Sequence, residues 1–294
     1  VHTDPLPAPP RPIRQHLTFW RALLALGLAG CSSLEEPYEE RLRAAFAAQP
    51  LGTAPVLTEA DLAHLPAPVQ RYVRRSGAVG RPRVQNVRFA FDAQMYRKPG
   101  DAPLPSSSIQ HNFMAKPARL FFMKSRMFGL PVRVFHAYAD EAATMQVRVA
   151  SLVNMVDLAG EELATGETVT VLNDLCFFAP GALVDPRLGW EPVDERTVKV
   201  TFQNGRRRVG ATLHFNERDE LVNFVSDDRA ALLPDGSLAR YRWSTPVSDY
   251  REFDGRRVAT RGAAVYAYPE GDFTYGTFVL QSIAWDVPAP PPER

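Results

Sequence analysis

Two cysteines are present, Cys31 and Cys176, and only the first sits where a thiol has an evident chemical role. Leu28, Ala29 and Gly30 precede it, an uncharged apolar run fills residues 22–29, and Arg11, Arg14 and Arg21 lie upstream. Basic residues, a short apolar stretch and then small residues form the three-part layout of a secretion signal. The small residues let a peptidase bring the backbone close to its catalytic groups. The apolar run is far shorter than the roughly 20 residues that span a bilayer as a helix. Cleavage is therefore expected between Gly30 and Cys31, which leaves the cysteine at the new amino terminus. Cys176 lies in Leu175-Cys176-Phe177-Phe178, where apolar neighbours raise a thiol's pKa and leave it inert.

Two polar groups elsewhere invite chemistry. Asn173 and Asp174 interrupt an apolar helical stretch, and polar groups in such a place need hydrogen-bond partners or a cavity. Residues 223–229 carry Asp227, Asp228 and Arg229, and residues 242–246 carry Arg242 and Trp243. Successive side chains on a strand point to opposite faces, so Asp227 and Asp228 do not form an acid–base pair. One is expected to pair with Arg229 or Arg242, the other to sit in a turn. Two readings stay open: a buried ion pair that fixes strand register, or a ligand-binding polar patch built from Asn173, Asp174, Asp227, Asp228, Arg229, Arg242 and Trp243.

No catalytic residue, metal site or cofactor is expected. The six histidines are scattered, and His111 and His136 fall in strand-like alternation that suits packing. Gly-x-Ser-x-Gly, glycine-rich phosphate loops and His-Glu-x-x-His are absent from the sequence. A formal net charge of +1 gives no electrostatic footprint for nucleic acid. The basic run Arg206-Arg207-Arg208 follows Asn204-Gly205 and is expected to be a solvated hairpin end.

Positioning these groups falls to a mainly β chain of the α+β class. Val87, Phe89, Phe91, Ala93 and Met95 alternate with polar residues, and the same period of two recurs at 132–138, 198–202 and 209–215. Asn204-Gly205, Asp235-Gly236, Asp254-Gly255 and Glu270-Gly271 punctuate the runs as hairpin turns. Ten to twelve strands in an antiparallel meander follow. Such a sheet must curve or be covered, because it cannot leave an apolar face wet. Residues 161–184 read as a helix, a break at Pro180 and a short continuation, packed with a few other helices on the concave face. The layout is therefore a signal at 1–30, a tether with a short helix at 31–55, and one β-rich domain at 56–287. That domain opens on a helical pair, and a proline-rich disordered tail follows at 288–294.

Three resemblances extend this reading. Leu28-Ala29-Gly30-Cys31 resembles the lipobox of bacterial lipoproteins, which implies diacylglyceryl on the Cys31 thiol and a membrane anchor. Each buried CH₂ is worth about 0.8 kcal/mol, so two or three chains hold firmly. Ser32 and Ser33 after the cysteine imply the outer membrane, facing the periplasm, in a Gram-negative cell. LPAPVQRYVRRSG (65–77), ETVTVLNDLCFFAPGALVDPRLGWE (167–191), FNERDELVNFVSDDR (215–229), RWSTPVSDY (242–250) and PEGDFTYGTF (269–278) resemble an uncharacterised bacterial family, a domain of unknown function. It implies no activity and no site residues. In shape alone, a half-barrel-like sheet covered by helices is similar to periplasmic lipoprotein carriers. The expectation is an envelope lipoprotein that binds a lipid or other hydrophobic ligand under the sheet, with Leu120-Phe121-Phe122-Met123 in the wall. A non-catalytic scaffold is the alternative, and an enzyme is the reading with least support.

Overall fold

The computed structural model describes residues 33–233 and 236–290. Gly30, Cys31 and the signal segment lie outside the described residues, as does the end of the proline-rich tail. Helix α1 spans Glu35–Ala48, α2 Ala67–Arg75 and α3 Glu161–Phe178. Six strands precede α3: β1 (Asn86–Met95), β2 (Leu104–Phe113), β3 (Ala118–Met127), β4 (Leu130–Ala139), β5 (Ala142–Val149) and β6 (Val153–Ala159). Ten follow it: β7 (Leu188–Pro192), β8 (Thr197–Asn204), β9 (Arg207–Phe215), β10 (Leu221–Ser226), β11 (Ala230–Leu232), β12 (Leu238–Arg240), β13 (Arg242–Ser244), β14 (Val247–Phe253), β15 (Arg256–Tyr268) and β16 (Gly271–Trp285). The sixteen strands among the described residues exceed the ten to twelve read from alternation, in part because the three-residue strands β11, β12 and β13 are too short to register as periodic.

Fourteen strands form one antiparallel sheet in the order β6-β5-β4-β3-β2-β1-β16-β15-β13-β10-β9-β8-β7, with β14 also on β15, and β11–β12 makes a separate ribbon. The first and last strands meet in the middle, Val87 opposite Trp285 and Met95 opposite Gly276. The sheet therefore has two arms, β1–β6 and β7–β16. Helix α3 connects their far edges and touches β4, β5 and β6 on one arm and β9, β10, β11 and β15 on the other. The sheet bends around it. Nearly every residue of α3 from Gly166 to Phe177 is buried, as expected for a helix wrapped on most sides. Its stop before Pro180, with a 3₁₀ turn at Pro180–Val184, matches the sequence reading.

Alternation decides which face each strand residue serves. On β3, Leu120 and Phe122 pack with Tyr38, Leu42 and Phe46 of α1, while Arg119, Phe121 and Met123 face α3. Helix α1 thus lies on the face opposite α3. The segment read as a tether carries a 14-residue helix docked on the sheet. Tyr38 Oη hydrogen-bonds His111 Nδ1 there at 3.0 Å. Burial first, and Arg88 second, lower the His111 pKa to about 3.

Turn chemistry holds most fully at Asp254-Gly255; Asp235 lies outside the described residues. Asp254 and Gly255 both have positive φ, 48° and 67°, the requirement of a type I′ hairpin. Gly77 closes α2 at φ +74°, and a Cβ there would lie 2.3 Å from the Gly255 carbonyl oxygen. Only glycine lets α2 end against that turn. Arg206 and Arg208 are exposed, as expected of a solvated hairpin end, but Arg207 departs from that role. Arg207 is buried and its Nη2 lies 2.7 Å from Glu161 Oε2. It ties the β8–β9 hairpin to the first turn of α3, where acidic residues also suit the helix dipole.

Candidate functional site

A cavity of about 430 Å³ lies between α3 and both arms of the sheet. Its wall is largely aromatic and aliphatic. Phe91 and Met95 come from β1, Phe121 and Met123 from β3, and Phe177 and Phe178 from α3. Tyr266 and Tyr268 of β15 and Phe273, Tyr275 and Phe278 of β16 complete it. Strand alternation places only every second residue inward, so Phe121 and Met123 line the cavity, whereas Leu120 and Phe122 serve α1.

The guanidinium groups of Arg119 and Arg229 enter this space from opposite arms. Arg119, at the start of β3, is enclosed by carboxylates and amides. Its Nη1 lies 2.8 Å from Glu167 Oε2 and its Nε 3.1 Å from Asp174 Oδ2. Its Nη2 donates to Gln110 Oε1 at 2.9 Å. Gln110 and Asn112 Nδ2 also donate to Asp174 Oδ2, and His136 Nδ1 lies 3.3 Å from Glu167 Oε1. Arg119, Glu167, Asp174, Gln110 and Asn112 are all buried. Glu167 and Asp174 are seven residues apart, two turns of α3, and so share one face. Burial acts to raise the Glu167 carboxyl, but Arg119 and His136 outweigh it and hold the group well below the usual carboxylate range. Burial prevails at Asp174 and pushes its carboxyl up despite Arg119, Asn112 and Gln110.

Arg229 enters from the link between β10 and β11. Its Nε donates to Thr170 Oγ1 at 3.2 Å, and its Nη1 reaches Tyr266 Oη and, at 3.4 Å, Tyr275 Oη. The guanidinium carbon lies 4.6 Å from the centre of the Trp243 ring. No carboxylate among the described residues stands within ion-pair distance of it. Burial acts to lower its pKa, while Tyr266, Tyr275 and Glu167 raise it above the usual arginine value. The group stays charged.

Of the residues singled out from sequence, Asn173, Asp174, Arg229 and Trp243 meet in this one cavity. Asn173 Nδ2 donates to Thr245 Oγ1 at 2.5 Å. Asp227 and Arg242 do not join them: they pair with each other at 3.0 Å, 70% and 63% exposed. Asp228 accepts from the Gly210 amide at 2.7 Å. Asp227 and Asp228 thus serve separate local roles, but in the bend that follows β10 and not on a strand as expected. Arg119, Glu167, Gln110, Asn112, His136, Tyr266 and Tyr275 escaped the sequence reading. One signal was present: Glu167 and Asp174 lie two turns apart in an apolar helix.

The polar network is centred on Asp174 Oδ2 and the two Glu167 oxygens. Asp174 Oδ2 receives three donors and Glu167 spends one oxygen on Arg119 and the other on His136. The Cys176 thiol is fully buried, and burial, then Asp174, push its pKa up. No group of three or more His, Cys, Asp or Glu that could hold a metal occurs among the described residues, and no helix among them is long and apolar enough to cross a membrane.

Apolar side chains also break the surface at one end. Phe128 (86% exposed) and Leu130 sit at the β3–β4 hairpin tip, and Leu152, Val153 and Met155 at and beyond the β5–β6 tip. Arg97, beside the end of β1, lines the cavity and lies over the Phe128 ring at 5.8 Å. The cavity therefore reaches the end of the molecule that carries these tips.

The sequence model of DUF6544, a family of unknown function, matches residues 55–278. No curated protein matches the chain. Among solved structures, the chain is similar to a DUF1329 family protein from Desulfovibrio piger, with a TM-score of 0.43 and 14% identity over 75% of this chain and 92% of that one. An outer membrane lipoprotein-sorting protein domain from Vibrio parahaemolyticus follows, with a TM-score of 0.36 and 7% identity over 68% and 85%. A LolA superfamily protein from Nitrosomonas europaea gives 0.36 and 10% over 73% and 92%.

Proposed function

The chain belongs to the DUF6544 family, whose function is unknown, and we propose that it is an envelope lipoprotein that takes a lipid or other hydrophobic small molecule into the cavity beneath its sheet. The single observation that carries this is the cavity itself. At about 430 Å³ it falls in the range of ligand pockets, roughly 300–1,000 Å³, and it has their composition, an apolar wall with a few placed polar groups. A fully packed interior would have closed around α3, since interiors pack to crystal-like density. Each CH₂ of a ligand buried there contributes about 0.8 kcal/mol.

Lipid on Cys31 would hold the protein to a membrane, which in a Gram-negative cell is the outer membrane on its periplasmic side. Cys31→Ser is expected to release the protein from membranes or leave the precursor uncut; unchanged fractionation and migration would remove the anchor from this reading. For the cavity, native mass spectrometry of protein purified from its own envelope should find a co-purifying lipid-sized adduct. A clean apo mass, with no uptake of added long-chain alcohol, would sink the ligand reading.

The exposed tips favour a second reading, a non-catalytic envelope protein that docks through Phe128, Leu130 and Leu152. Exposed apolar clusters commonly mark interaction surfaces. Phe128→Ser with Leu152→Ser should abolish chemical crosslinking of the Cys31-bearing chain to other envelope proteins and leave cavity binding intact. Retained crosslinking would rule the tips out.

A further inference from the structure

We propose that Arg229 and Tyr275 form an anion-binding corner in the cavity, and that the ligand is an amphiphile with one carboxylate or phosphate-ester group seated on that corner and its chain along the apolar wall. This rests on the cavity taking a hydrophobic ligand, and it specifies the chemistry of that ligand's polar end.

The argument is an accounting of donors and acceptors. A guanidinium has five N–H groups and no acceptor. In Arg229, Nε serves Thr170 Oγ1 and Nη1 serves the hydroxyls of Tyr266 and Tyr275. Nη2 makes no hydrogen bond to a described residue, and it is not among the buried side-chain atoms left without a partner. It is therefore accessible, in a residue that lines the cavity.

The neighbouring hydroxyls have different obligations. Thr170 Oγ1 donates to the Gly166 carbonyl at 3.0 Å, and Tyr266 Oη donates to the Ala230 carbonyl at 2.8 Å. Both protons are committed. Tyr275 Oη accepts twice, from Trp243 Nε1 at 3.0 Å and from Arg229 Nη1 at 3.4 Å. Its own proton goes to no described residue. An Nη2 amino group and a phenolic O–H, side by side on the cavity wall, are both donors without acceptors. Two adjacent donors, one of them cationic, match a group with two or more anionic oxygens.

Charge supports the same ligand. Arg119 has two carboxylates in contact, while Arg229 has none among the described residues. The Trp243 face below the guanidinium attracts the cation without accepting its in-plane N–H groups. A buried cation with no carboxylate in direct contact is costly, and a ligand oxyanion supplies that contact. Tyr268 and Phe273, stacked at 6.2 Å, continue the wall from Tyr266 and Tyr275, so a chain attached to that anion meets apolar surface.

The test measures binding of dodecanoate, dodecyl phosphate, dodecanol and inorganic phosphate to the purified full chain by calorimetry. The two anionic amphiphiles should bind at least ten-fold tighter than dodecanol, and inorganic phosphate much more weakly than dodecyl phosphate. Arg229→Met should erase the advantage of the anions and leave dodecanol unchanged. Arg229→Lys, which keeps the charge but not the fork, should retain part of it. Tyr275→Phe, a near-isosteric change, should weaken the anions several-fold and dodecanol not at all. Equal binding of dodecanoate and dodecanol by the wild type, or an unchanged ratio in Arg229→Met and Tyr275→Phe, overturns the anion corner and leaves the cavity reading standing. Inorganic phosphate binding as tightly as dodecyl phosphate overturns the amphiphile. Failure of all four probes overturns the cavity reading and this inference with it.

Discussion

Arg119 and Arg229 enter the same cavity from opposite arms of the sheet, and they differ in what surrounds them. Arg119 has a carboxylate on two sides and an amide on a third. Arg229 has hydroxyls and an indole face. The first arrangement is charge-matched: Arg119 spends its Nε and both terminal nitrogens on Asp174, Glu167 and Gln110. The second is open on one edge. A buried arginine with its counter-charges built in cross-links helix to sheet, whereas one without them awaits a partner from outside the chain. Position in a cavity alone does not distinguish the two; the inventory of committed donors and acceptors does.

The comparison can be broken in several ways. The largest effect is expected for Arg119→Met, which strands two buried carboxylates. Losing one member of a buried charged network costs about 3–5 kcal/mol, measurable as a lower midpoint in urea unfolding. A wild-type midpoint would mean that the network is not holding α3 to β2 and β3.

A pH series sharpens the same region. Glu167 has a folded pKa below its ordinary 4.5, so the unfolded chain binds more protons in that window. Its contribution is present above about 4.5 and is lost as pH falls further toward the depressed folded value. Asp174 has the opposite sign, because its folded pKa lies above the ordinary 3.8. Its contribution is present below 3.8 and is lost as pH rises through the raised value. Thermal melts between pH 7 and 3 should therefore flatten at the acid end in Glu167→Gln and steepen there in Asp174→Asn. Parallel curves for both variants and wild type would contradict the assignment.

Arg229→Met should move stability by no more than about 1 kcal/mol in the ligand-free protein, since the loss of three hydrogen bonds is offset by removal of a desolvated cation that has no carboxylate in contact. A loss as large as that of Arg119→Met would make Arg229 a structural residue after all. The smallest change belongs to Asp227→Asn. Its pair with Arg242 is mostly in solvent, and such pairs contribute about 0–1 kcal/mol. A melt within a degree or two of wild type is expected.

Parts of this were legible in the sequence. Helix α3, its end before Pro180 and the buried polar pair Asn173-Asp174 could be read because apolar content and a helix breaker are local signals. Asp227 and Asp228 do have separate partners, but they lie in the bend after β10, so strand alternation is not what separates them. Arg119 could not be read in this way. It stands in Ala118-Arg119-Leu120-Phe121, which looks like the start of an ordinary strand, and its partners lie 48 and 55 residues further along. Arg207 was misjudged for the same reason: its neighbours in the chain are charged and exposed, and its partner Glu161 is 46 residues away.

The sequence by itself determined the antiparallel strands, the tight turns at Asn204-Gly205 and Asp254-Gly255, and the long buried helix. Each depends on residues a few positions apart, whose backbone and side-chain directions are set by local periodicity. Only the tertiary structure decided that β1 and β16 close the sheet's centre, that α1 and α3 take opposite faces, and that one arginine is neutralised while the other is not. Those outcomes depend on register between distant strands, and a shift of one residue would turn each inward group to the other face.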